Sequence, residues 1–253
     1  MTTAQTDPLV RLLPTSADSD RPWLVWYSEE ERIELTGRVL SMWQAKTAGL
    51  LCEELGDRPD VQVAMSTHWR TVTWCGGTWL TGGLVRFCTR DGEGVPMRTA
   101  SGSPTGPGTA SIAFEARDLD PRAGLRMLVP RPSLALRRDE ALEPLVLDGV
   151  ADLMAQPDVF VPGPVSAEAP ALVREDGAVL TRRGLVEALP ETRALRAQEA
   201  GARAVMIDSE GSAAVLEVLA AWRRGLSAVM VDAGAAPGLR ATAARQEGAP
   251  LSP

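Results

Sequence analysis

The sequence predicts an α/β protein with largely parallel sheets and flanking helices, and three observations carry that prediction. First, residues 61–65 (VQVAM) read as a strand, 68–80 as a helix and 84–88 (LVRFC) as a second strand. Strand, helix, strand in that order implies a right-handed βαβ unit, because a right-twisted strand feeding a helix returns to its sheet in only one hand. Second, the alternation recurs near the end of the chain: 204–207 as strand, 212–224 as a helix with Val215, Leu216, Leu219 and Trp222 on one face, and 228–231 as strand. Third, 253 residues with 45% hydrophobic and 23% charged side chains form an ordinary globular composition that can bury a sizeable core.

In order along the chain, residues 1–22 hold Pro8, Pro14 and Pro22 and an apolar patch at 9–13, the pattern of a flexible tail with one docking turn. WLVWY at 23–27 is a strand; an acidic turn at 28–32 and the run 33–35 then complete a hairpin. Thr36 is placed to cap a helix by accepting from a free N–H in its first turn. From there Val39, Leu40, Trp43, Thr47, Leu50 and Leu51 recur at the spacing of one buried helical face, until Gly56 and the 57–60 turn stop it. Residues 89–110 are rich in Gly, Ser, Thr and Pro and read as a long surface loop. They lack Lys, and Pro104 and Pro107 each remove a backbone donor, so they do not make a phosphate cradle.

Residues 111–117 alternate like a strand, 125–129 form an apolar strand, and 150–154 a helix or pair of turns. A proline-bounded link then suggests a lobe boundary, giving an N-terminal α/β lobe at 23–164 and a second at 165–232. In the second lobe residues 170–173 are a strand, 179–185 (VLTRRGL) a restart, and 182–199 helical despite Pro190. Residues 233–253, dominated by Gly, Ala, Pro and Arg, read as a disordered tail.

Charge and composition exclude several functions. A net charge of -7 argues against sequence-independent nucleic-acid binding, which relies on clustered Lys and Arg. No apolar run approaches the roughly 20 residues of a membrane helix, and the N-terminus has no signal pattern, so the expected address is the cytoplasm. Cys52, Cys75 and Cys88 are odd in number and sit among apolar residues, as reduced buried thiols do. With one histidine, no site needing two can form. The seven tryptophans, five of them between Trp26 and Trp79, point to core packing or an interface, with an aromatic or acyl slot as the sharper alternative.

Two stretches carry a resemblance. APALVREDGAVLTRRGLVEAL at 169–189, with the strand–helix–strand that follows, resembles the middle of the large domain of adenylate-forming enzymes, the acyl-CoA synthetase and AMP-ligase family. The N-terminal block, with its hairpin ending in ELT, long helix and turn into a strand, resembles the start of the same domain. The run ERIELTGRVLSMWQAKTAGLLCEELG, with HWRT at 68–71, Trp79 and Gly82, more specifically resembles a short actinobacterial family of unassigned function related to those enzymes. The resemblance implies a fold like the N-terminal part of that large domain. In the family a Ser/Thr/Gly-rich phosphate loop with a lysine separates the strand from the VLT restart, whereas here only residues 174–178 lie between them. Five residues make a short turn. The family's adenine-binding Tyr-Gly-x-Thr-Glu motif, ribose-binding Asp and catalytic Lys also find no counterpart, so no catalytic, cofactor-binding or metal-binding residue carries over.

The residues themselves offer one place to look. In a doubly wound sheet ligands bind beyond the carboxyl ends of the strands, and here those ends present Arg174, Glu175, Asp208, Ser209 and Asp232. Asp and Ser are equally common at strand exits for local hydrogen bonding alone. Ser209 follows a strand and precedes a helix as a nucleophile does, but Ile207 replaces the first glycine of that motif. The sole base candidate, His68, stands at a helix start, where capping or a surface position is the commoner role. Asp152 with Asp158, or Glu140 with Glu143, could be imagined on Mg²⁺, yet magnesium leans on substrate phosphates and no cradle is visible.

The expectation is a non-catalytic binding or partner protein without cofactor, taking an acyl or carrier-linked ligand as the resemblance implies, or a protein partner or second copy. An enzyme completed by a partner chain or using another reaction, and a purely structural interaction protein, are the alternatives.

Overall fold

The computed structural model describes residues 7–88 and 106–250. A 3-10 turn at Val10–Leu12 precedes the hairpin of β1 (Pro22–Tyr27) and β2 (Arg32–Thr36). The long helix α1 (Gly37–Leu55) follows, its cap formed as the sequence predicts: Thr36 Oγ1 accepts from Val39 N at 3.3 Å. Then come β3 (Asp60–Ala64), α2 (Trp69–Leu80), β4 (Leu84–Phe87), β5 (Gly106–Ala113), β6 (Ala123–Leu128), β7 (Val146–Asp148) and the single turn α3 (Ala151–Met154). The chain continues through β8 (Pro170–Val173), β9 (Val179–Thr181), α4 (Arg182–Glu187), α5 (Glu191–Glu199), β10 (Ala204–Met206), α6 (Gly211–Arg223), β11 (Ser227–Val231) and α7 (Pro237–Glu247).

Among the described residues the strands form two sheets, ordered β10-β11-β1-β2 and β7-β6-β5-β3-β4-β8-β9. Pairing is parallel throughout except for β1 with β2 and β8 with β9. Alternation across the pleat divides the side chains: Leu24 and Trp26 of β1 enter the main core, whereas Val25 and Tyr27 pack with Ala243 and Ala244 of α7. The main core gathers α1, α2 and α6 with the facing sides of both sheets. Trp26, Trp69, Trp74 and Trp79 are each 1% exposed within it, so the tryptophans are chiefly core.

Several expectations need correction. The 23–164 and 165–232 blocks are not separate lobes. The four-stranded sheet takes β1 and β2 from the first block and β10 and β11 from the second, while β8 and β9 complete the seven-stranded sheet beside β4. Long-range parallel pairing, which local pattern cannot register, decides the partition. The loop expected at 89–110 falls mostly outside the described residues, but its last part, 106–110, already belongs to β5, which ends at Ala113 rather than 117. The helix expected at 182–199 breaks between α4 and α5, because Pro190 has no N–H to give and crowds the preceding turn. The described part of the expected tail at 1–22 is docked: Leu9 and Leu13 are buried, and Asp7 pairs with Arg182, which is itself fully buried. Burial pulls the Arg182 guanidinium below its ordinary range and the Asp7 carboxylate opposes that. The tail expected at 233–253 contains α7 instead, since its two small residues Ala243 and Ala244 suffice to cover the outer face of β1 and β11. No helix among the described residues is long and apolar enough to cross a membrane.

Candidate functional site

The carboxyl ends of both sheets open on a run of three cavities that share residues. The first, about 370 Å³, lies between Trp26 of β1 with Ser28, Glu29, Glu30 and Glu31 after it, His68 at the start of α2, Arg131 and Pro132 after β6, and Asp232, Gly234 and Ala235 after β11. Asp232 and Ala235 also line the next, about 300 Å³, with Thr67, Ile207, Asp208, Ser209, Glu210 and Arg240. Thr67 and Glu210 lead on to a third of about 550 Å³, walled by Val63, Ala64, Met65, Phe87, Cys88, Glu175 and Gly211.

The floor is built around the N-terminus of α2. His68 caps that helix: its Nδ1 accepts from Arg70 N at 3.0 Å, and its ring sits 4.5 Å from Trp26 and 5.2 Å from Phe114. Burial, helped by the neighbouring Arg70 and Arg131 charges, lowers the His68 pKa to about 3, so the ring is neutral. Arg70 is 2% exposed; its Nη2 donates to the backbone oxygens of Ser133 and Ala135 at 3.0 Å, and its guanidinium stacks 4.6 Å from the Trp69 ring. Burial brings the Arg70 pKa down to about 10, still cationic at neutral pH. Trp69 Nε1 donates to Ser133 Oγ at 2.8 Å, and Ser133 donates to the Glu31 carboxylate. Together these bonds hold the 130–135 loop as one wall.

Of the residues singled out in the sequence, Asp208, Ser209 and Asp232 come together on one cavity, Glu175 lines another, and Arg174 lines none of the three. Asp208 pairs with Arg193 of α5 at 2.6 Å and with Arg240 of α7. Glu217 of α6 accepts from Asp208 N at 3.0 Å and from Ser209 Oγ at 2.8 Å. The Ser209 hydroxyl is thus committed to Glu217 and His68 to a helix cap, which removes the basis for a Ser–His nucleophile. Asp232 accepts from Gly234 N at 2.9 Å and faces Arg131 at 3.6 Å. The carboxylates imagined on magnesium are placed elsewhere: Asp158 pairs with Lys46 and Glu140 with Arg138. Among the described residues no group of three or more His, Cys, Asp or Glu is arranged to hold a metal ion.

Residues 174–178 form a closed hairpin turn. Arg174 N donates to Ala178 O and Gly177 N to Arg174 O, both at 2.9 Å, and Gly177 supplies the positive φ of 84° that the turn requires. Arg174 faces its neighbour Asp176 at 3.7 Å in the open. Glu175 turns inward, accepting from Ser212 N at 2.7 Å and from Ser212 Oγ at the start of α6. Glu29, Glu30, Glu31, Glu175, Asp208, Glu210 and Asp232 therefore outnumber Arg131 and Arg240 along the crevice.

Sequence reasoning missed Thr67, Arg131 and the 29–31 acids as crevice residues. Thr67 is 8% exposed and its hydroxyl has no hydrogen-bond partner. No local signal marks it, because its place depends on how β3 meets β10 and β11 across the sheets.

Comparison with solved structures places this geometry in a known fold. A Brucella canis acyl-CoA synthetase superposes with a TM-score of 0.68 at 14% identity, over 91% of this chain and 44% of that one. The fold is that of the adenylate-forming enzymes. A nonribosomal peptide synthetase, FmoA3, gives a TM-score of 0.60 at 19% identity, covering 96% of this chain and 24% of its own. A Mycobacterium tuberculosis protein of an uncharacterised family is 37% identical over 98 residues, 34% of this chain and 38% of the relative. No family model matches. The chain thus spans less than half the length of the adenylate-forming structures named here.

Proposed function

We propose that this chain is a binding or partner protein on the adenylate-forming fold that does not itself activate a substrate with nucleotide. The observation that carries the reading is the 174–178 turn. A transferring phosphate needs converging N–H donors and a cation to stabilise its charge, and here the turn spends the Arg174 and Gly177 N–H groups on closing the hairpin while presenting a carboxylate to the crevice. The surrounding excess of acids opposes a triphosphate further, since like charges in a walled cleft repel with little screening.

The apolar wall of Val63, Met65 and Phe87 suits an acyl or carrier-linked ligand. Leu134, Leu145 and Val161 are each more than four-fifths exposed, and apolar side chains left in the open support a protein partner or a second copy. Cys52, Cys75 and Cys88 form no disulfide with one another, which accords with a reducing, cytoplasmic setting. The test is ATP–pyrophosphate exchange with the purified chain and a panel of carboxylic acids. No exchange above background is the expected result, and acid-dependent exchange would overturn the reading.

A further inference from the structure

The start of α6 is the most specifically shaped part of the crevice. A helix of 13 residues presents unsatisfied N–H groups and a positive partial charge at its first turn, yet its own N-cap residue, Glu210, makes no side-chain capping bond. The role is filled from another sheet: the Glu175 carboxylate accepts from both Ser212 N and Ser212 Oγ. Gly211, at φ 58°, leaves the room this needs, because a Cβ there would run into the Glu175 carboxylate. Ser212 is fully buried, so these donors have no recourse to water.

A second, independent feature points to a ligand at the same place. Thr67, nine-tenths buried with its hydroxyl unpartnered, lines the cavity that Glu175 and Gly211 also line. A buried hydroxyl left without a bond is costly unless something supplies its partner.

We propose that the N-terminus of α6 is an oxyanion site held closed by the chain's own Glu175, and that a ligand bearing one carboxylate or phosphate group displaces Glu175 from Ser212 and reaches Thr67. The ligand's anion takes over the two Ser212 donors that Glu175 gives up, while the freed Glu175 carboxylate stays nearby and adds to the acidity of the crevice. Glu210 beside it disfavours a more highly charged ligand. Displacement also releases the hydrogen-bonded link between the β8–β9 turn and α6, which makes the contact a latch between the two sheets. The inference deepens the reading of a crevice closed to triphosphates and rests on it.

The experiment compares the wild-type chain with Glu175→Ala by following the Ser212 amide resonance during titration with acetate and, separately, inorganic phosphate. The expected result is a saturable shift in the variant at concentrations about tenfold below those that move the resonance in the wild type, the order of difference one helix-terminal charge makes. Response to acetate alone assigns a carboxylate ligand, response to phosphate alone a phosphate ligand, and either supports the site. Equal responses in both chains, or none in the variant, would overturn it. Glu175→Gln, whose side-chain oxygen can still accept from Ser212, covers the case in which the alanine variant fails to fold; it is expected to respond between the two. Binding of ATP to the wild type would defeat the earlier reading but leave this comparison of small anions intact.

Discussion

On the four-stranded side of the crevice the 208–209 exit of β10 is gripped from behind. Asp208 meets Arg193 and Arg240, and Glu217 fastens the backbone and hydroxyl of the 208–209 loop, so α5, α6 and α7 converge on one turn. On the seven-stranded side Glu175 is held by Ser212, but the residues around it are looser. Arg174 and Asp176 stand 3.7 Å apart in solvent, and Thr67 is buried with its hydroxyl unpartnered. Residues at the same kind of position are clasped on one rim and held more loosely on the other. What separates them is the partner set, which depends on distant helices.

Breaking the gripped rim gives the largest effect expected at neutral pH. Asp208→Ala removes two ion pairs and leaves Arg193 and Arg240 facing each other, at a cost of about 2 kcal/mol; the pair is partly exposed, which places it below a fully buried one. Urea denaturation measures it, and a cost under about 0.5 kcal/mol would mean the clasp is ornamental.

The floor between the rims sets the next effect, a dependence on pH. His68 has a folded pKa of about 3 against an ordinary 6.5. Between those values the unfolded chain binds the extra proton, so stability rises with pH. The contribution is fully present above about 6.5 and is lost as pH falls toward about 3, with a slope of up to about 1.4 kcal/mol per pH unit. His68→Asn keeps an acceptor to cap α2 and should flatten that part of the profile. An unchanged slope would show that His68 is not the group responsible.

The smallest effect is expected on the loose rim. Thr67→Val replaces an unpartnered hydroxyl with a methyl of similar shape, so stability should stay within about 0.5 kcal/mol of wild type or improve. The same change should weaken binding at the α6 site. A loss above about 1 kcal/mol would reveal a hydrogen bond that the hydroxyl makes within the folded chain.

The sequence made local features legible and left the long-range ones hidden. The Thr36 cap, the α2 start at His68 and the 174–178 turn were all readable, because each is settled by residues within one turn of chain. The sheet partition was not, since β1 pairs with β2 beside it and with β11 near the other end of the chain. Nor was α7, whose buried face is little more than alanine and gives no strong apolar stripe. At the site, Asp208, Ser209 and Asp232 were found as strand exits, but that Asp208 and Ser209 serve a clasp became visible only with Arg193, Glu217 and Arg240 in place.

The central claim, that the crevice is closed to nucleotide, is tested most directly by calorimetric titration of the purified chain with Mg·ATP. The account predicts no saturable heat. Saturable binding, lost on mutation of Arg131 or Arg240, would contradict it and make the crevice a nucleotide site after all.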